Sequence, residues 1–150
     1  FLSQNYGAHK LDRIKDGYHK GVMVSIIYGV FACVVMVFFG RILSMMFVSA
    51  SESQVLNASA LYLRRMGYFY PVLGILITTR MSVQGLGYSA RAMLAGFVEM
   101  IARCIVALCF VPIFKYNAIT WADQTAWIAA TLVLIPLWIS TMRTVQKKMC

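Results

Sequence analysis

The 150 residues are 61% hydrophobic and only 13% charged, with a mean hydropathy of +0.73, whereas a soluble domain is about half apolar and about a quarter charged; this excludes an ordinary water-soluble domain. A net charge of +9 would suit a nucleic-acid partner, but the basic residues stand at the edges of apolar runs, so the expected partner is a lipid bilayer and not nucleic acid. A spanning helix needs roughly 20 mostly apolar residues, and the length holds about four of them with short loops.

Taken in chain order, Ala8, Leu11, Ile14 and Tyr18 recur at helical spacing while Lys10, Arg13, Lys15 and Asp16 occupy other faces. This predicts an amphipathic lead-in helix on the cytoplasmic interface, its cations near anionic head groups. Residues 1–20 are expected to hold that helix and the end of a preceding one. The chain opens on Phe1, without a basic n-region and apolar core, so no signal peptide is expected and a longer protein is.

Residues 21–150 are read as a four-helix membrane part. Gly21 to Gly40 carry no charge between Lys20 and Arg41 and as a helix would be about 30 Å long, which sets the first span at 21–47. Only 14 residues separate Arg65 from Arg80, a rise of about 21 Å. The second span, 57–84, must therefore include charged ends, Arg64 and Arg65 snorkelling outward and Arg80 inward. Gly85-Leu86-Gly87-Tyr88-Ser89 is expected to be a tight turn. The third span, 90–114, carries Glu99 and Arg103. The fourth, 124–143, is flanked by Asp123 and Arg143, with Trp121, Trp127 and Trp138 expected as interfacial anchors.

Counting Lys and Arg by side gives nine on one side (Lys10, Arg13, Lys15, Lys20, Arg80, Arg91, Arg143, Lys147 and Lys148) against four on the other (Arg41, Arg64, Arg65 and Lys115). The positive-inside rule then places both ends in the cytoplasm.

Glu99 and Arg103 lie four apart on one helical face at membrane depth, where an unpaired charge costs several kcal/mol, so they are expected to pair or to face a wet cavity. Two readings stand: a proton or cation site modulated by Arg103, or a clamp between helices. Pro71, Pro112 and Pro136 each remove a backbone donor from a span. Pro71 lies among the polar aromatics Tyr68, Phe69 and Tyr70, either as a flexing point or as a static kink. Aromatic rings and methionines could line a pocket for bulky cations, which adds Tyr68 and Tyr70, and Gln84 at the turn, to the pathway candidates. Cys33, Cys104 and Cys109 read as small hydrophobes and Cys150 has no metal-ligand partner; His9 and His19 are read as solvated. No phosphate loop, nucleophile elbow or catalytic carboxylate pair is present, so no enzyme, metal site or cofactor is expected.

Ser3-Gln4-Asn5-Tyr6-Gly7-Ala8 with Lys10, Arg13-Ile14, Gly17 and Gly21 resembles a loop of the multidrug and toxic compound extrusion family. Asn5 and Gly7 would end a preceding helix through a left-handed cap. The similarity continues through Phe39-Gly40-Arg41, Met46-Phe47, Gln84-Gly85-Leu86-Gly87 and the Glu99 to Arg103 segment, covering nearly the whole chain. The resemblance implies an all-α membrane protein, four transmembrane helices of a six-helix lobe from a twelve-helix transporter. It also implies export of cationic lipophilic compounds in antiport with protons or sodium, by alternating access against a missing N-terminal lobe. The implied location is a plasma membrane, such as a bacterial inner membrane. One departure stands out: several members place a cation-binding acid in the helix matching 57–84, and here that helix has no Asp or Glu. Alternative readings are a lipid-linked precursor flippase of the same superfamily, which would want several basic residues in its cavity, and a non-transporting membrane scaffold.

Overall fold

The structure is a computed structural model that describes residues 1–49 and 51–149; Ala50, in the expected outer connection, and Cys150 lie outside the described residues. The described chain is helical, with α1 Leu2–Gly7, α2 Leu11–Met45, α3 Ser53–Gly67, α4 Tyr70–Gly85, α5 Ser89–Ile105, a π-helical turn Val106–Phe110, α6 Val111–Phe114 and α7 Tyr116–Met149. Among the described residues three stretches, Leu11–Met45, Ser89–Phe114 and Tyr116–Met149, are long and apolar enough to cross a membrane.

Helix α1 ends where the Asn5 carbonyl accepts from the Lys10 N–H, and the left-handed residue of this turn is His9 at φ 55°, not Gly7. The expected separate lead-in helix is absent, because no proline interrupts the 35 residues of α2, which run on for about 52 Å. Its apolar side meets protein instead of head groups: Ile14 is fully buried, and Tyr18 stacks on Trp138 with ring centroids 4.0 Å apart.

The second span differs from the continuous 57–84 helix expected from sequence. It is two helices, interrupted at Tyr68 and Phe69, with Pro71 in the first turn of α4. Proline there lacks the N–H that would close on the Gly67 carbonyl, and its ring disfavours helical backbone before it, so the chain restarts instead of kinking. Together α3 and α4 run antiparallel along α2. Leu63 approaches Gly40, Gly67 approaches Cys33 and Met36, Pro71 approaches Gly29, and Gly74 approaches Ser25. Gly29 lies near the centre of the charge-free run, so the interruption falls at mid-depth. A Cβ on Gly29 would stand 2.7 Å from the Pro71 Cα, which is why glycine is required where these backbones meet.

Gly87, at φ 88°, makes the turn into α5. The third span then widens: the Val111 N–H reaches back five residues to the Val106 carbonyl, and Pro112 follows with no N–H of its own. Helix α7, continuous well beyond 124–143, is the hub that packs on α3, α4 and α5. Trp127 and Trp138, expected at the interfaces, are instead core residues, only 6% and 7% exposed. Trp127 packs edge to face on Tyr70 of α4, so the stretch of α7 opposite the interruption is filled by indole.

Candidate functional site

Five side chains from four helices form one polar chain through the bundle. An Arg80 N–H of α4 donates to Glu99 Oε1 of α5, and Arg103 Nη1 lies 3.5 Å from Glu99 Oε2. Arg103 Nε donates to Asp123 Oδ1 of α7 at 2.9 Å, and the Tyr62 hydroxyl of α3 donates to Asp123 Oδ2 at 2.8 Å. Two guanidiniums and two carboxylates cancel, which is the arrangement that makes charge tolerable at membrane depth.

Local structure places each member. Glu99 stands ten residues into α5, about 15 Å along its axis, with its side chain 12% exposed. The i,i+4 spacing brings Arg103 over it. Arg80 comes from the far arm of the Gly87 hairpin, so the Glu99 carboxylate is gripped from two helices. Arg80 does not snorkel inward as its sequence position suggests; at 25% side-chain exposure it is more enclosed than Arg103 at 42%.

Of the other candidates, Gln84 shares a cleft of about 340 Å³ with Arg80, beside Gly96 and Met100. Tyr70 and Pro71 sit at the mid-depth interruption, Tyr70 also lining a cleft of about 390 Å³ between α2 and α4 with Tyr28, Ser25 and Thr78. The Ser25 and Thr78 hydroxyls bond each other there. Tyr68 is largely exposed and joins neither group. Glu99 with Arg103 thus form one centre, and Tyr70 with Pro71 another beside it.

Sequence reasoning missed four participants. Folding the chain back about Gly87 leaves Arg80 roughly 7 Å short of Glu99 along the axis, a gap an arginine side chain closes, so the hairpin held a usable signal. Asp123 and Tyr62 gave none, being 61 residues apart. Gln124 is fully buried on α7, three residues from both Trp121 and Trp127, which pack on Phe69 and Tyr70 at the interruption. Neither amide atom of Gln124 has a partner among the described residues, leaving donors and an acceptor unused beside the broken helix. No group of three or more His, Cys, Asp or Glu able to hold a metal occurs among the described residues.

The MatE family model matches residues 1–109, taking in α1 to α5 with Arg80, Glu99 and Arg103. No curated protein and no solved structure matches the chain at a significant level. Apolar helices of spanning length agree with that match, and the chain belongs to the MatE family, whose members are multi-pass membrane transporters rather than enzymes.

Proposed function

We propose that this chain supplies the last four helices of the second lobe of a secondary active exporter. It moves cationic lipophilic compounds outward in exchange for protons or sodium, and its ends face the cytoplasm of a plasma membrane. The observation that carries this reading is Glu99, a carboxylate held between guanidiniums of two helices next to a helix broken at mid-depth, the position where transporters bind ions and substrate. A proton or sodium ion arriving at Glu99 competes with Arg80 and Arg103 for its oxygens. Neutralising Glu99 loosens the tie of α4 to α5, while the Arg103 to Asp123 pair still holds α5 to α7. Ion entry is thereby linked to helix movement, with the other lobe as the second moving half. The charge-free cleft between α2 and α4, with the rings of Tyr28 and Tyr70, suits a lipophilic cation.

Charge balance favours export of organic cations over flipping of a pyrophosphate-linked lipid, because Arg80 and Arg103 are both engaged by carboxylates. A scaffold would need no ionised residues at this depth. The test is ethidium efflux from cells expressing the full-length protein, with and without a sodium gradient and with the proton gradient dissipated, alongside an assay for flipping of a lipid-linked pyrophosphate. Efflux that collapses with one of the gradients is expected; lipid flipping without ethidium efflux overturns the reading.

A further inference from the structure

The described chain holds a further cleft, of about 490 Å³, between α3, the widened third span and α7, at the end of the bundle that carries Lys115. Its walls are the rings of Phe110, Phe114 and Trp121, and its polar edge is Arg65 with Asn117. The volume falls in the range of a drug-sized ligand. Phe110 and Phe114 are stacked, their planes 20° apart and their ring centroids 6.4 Å apart, so two neighbouring rings contribute to one wall.

Arg65 sets the sign of what fits. Its Nη1 donates to Asn117 Oδ1 at 3.1 Å and to the Thr120 hydroxyl, both neutral, and no carboxylate lies within salt-bridge distance of it among the described residues. Arg80 and Arg103 are balanced by Glu99 and Asp123, whereas Arg65, the guanidinium at the edge of this cleft, has no balancing carboxylate among the described residues. Its Nε and Nη2 make no hydrogen bond among the described residues, leaving donors for a planar anion. The guanidinium also lies 5.6 Å from the centre of the Trp121 ring, so the indole face that would attract an external cation is already occupied by the protein's own.

We infer that this cleft binds an amphipathic organic anion, an aromatic body carrying one carboxylate, with the carboxylate on Arg65 and the ring system against Phe110, Phe114 and Trp121. Three aromatic side chains around the cleft offer a ring system stacking and edge-to-face partners that an acyl chain of an anionic lipid cannot use. The site goes beyond the cation export proposed above and is tested by binding alone, so its failure leaves the export reading standing.

The experiment titrates the purified full-length protein in detergent with 1-naphthoate, 1-naphthylmethylammonium and a lysophosphatidylglycerol, reading binding calorimetrically. Naphthoate is expected to bind at least about tenfold more tightly than the ammonium, and Arg65→Gln is expected to weaken naphthoate by about tenfold or more while Arg65→Lys recovers part of the loss. Because Arg65 also ties α3 to α7, Phe110→Ala serves as a second variant outside the polar contacts; it is expected to weaken naphthoate with the Arg65 donors intact. Equal binding of the anion and the ammonium, or naphthoate affinity unaffected by Arg65→Gln and Phe110→Ala, overturns the proposal. Tighter binding of the lysolipid, lost in the same variants, assigns the cleft to lipid and also overturns it.

Discussion

Glu99 accepts from Arg80 on one side and faces Arg103 on the other, and Arg103 leans in turn on Asp123, so removing a charge at different points of this chain has unequal effects. Glu99→Gln strands Arg80 and leaves Arg103 with Asp123 as its one remaining carboxylate partner among the described residues. Its expected cost is about 2–3 kcal/mol, below the roughly 3–5 kcal/mol of a fully buried pair because Arg103 keeps its pair with Asp123. Asp123→Asn affects only the more exposed end and is expected to cost about 1 kcal/mol or less. Thermal unfolding of the purified protein in detergent measures both, and equal losses would show that Glu99 is not the node. The double change Arg80→Gln with Glu99→Gln is expected to cost less than the sum of the single changes. The pairing of Glu99 with Arg103 was legible from their spacing alone. That of Arg80 was not, because a basic residue near a span end reads equally as a snorkelling cation, and only the hairpin geometry turns it inward.

At the scale of elements, the span 57–84 and the lead-in were the places where local pattern misled. Periodicity located apolar and polar faces correctly around Ile14 and Tyr18, but it carries no information on whether a helix stops at the interface, and α2 continues because nothing within it breaks the backbone. In the second span the signal was Pro71, and its neighbour across the bundle decided the outcome. Pro71 packs on Gly29, so the restart of α4 is set against a backbone that admits no Cβ. Gly29→Ala is therefore expected to push α2 from α4 and to cost about 1–3 kcal/mol. Gly96→Ala, in α5, meets nothing within 4 Å and is expected to be neutral or to stabilise by up to about 1 kcal/mol. Both are read as shifts in unfolding temperature in detergent, and a Gly29→Ala protein as stable as the Gly96→Ala one would contradict this packing. The tryptophans of α7 show the same limit of sequence. Trp127 and Trp138 look like interfacial anchors by position, yet Tyr70 and Tyr18 cover them.

Across the whole molecule, α7 is the most buried of the spanning helices and packs on α3, α4 and α5, while α2 packs on α3 and α4. The apolar window of α7 is 39% buried, against 6% for those of α2 and the third span, so the latter two present their outer faces to lipid or to further helices. Composition and charge were enough to recognise an all-helical membrane protein, since both are properties of the chain as a whole. The polar chain that links α3, α4, α5 and α7 could not be read in full from sequence, because Asp123 and Tyr62 meet only when the hub and the broken span are packed together. That chain makes Glu99 the point where an entering ion would act on helix contacts. The most direct test uses inside-out vesicles containing the full-length protein, comparing ion-driven ethidium uptake by the wild type and by Glu99→Gln, with folding verified by size-exclusion elution. The expected result is a loss of at least about tenfold in ion-driven uptake, the scale of removing a transport interaction of 1.4 kcal/mol or more. Unchanged uptake with unchanged ion dependence would remove Glu99 from the mechanism.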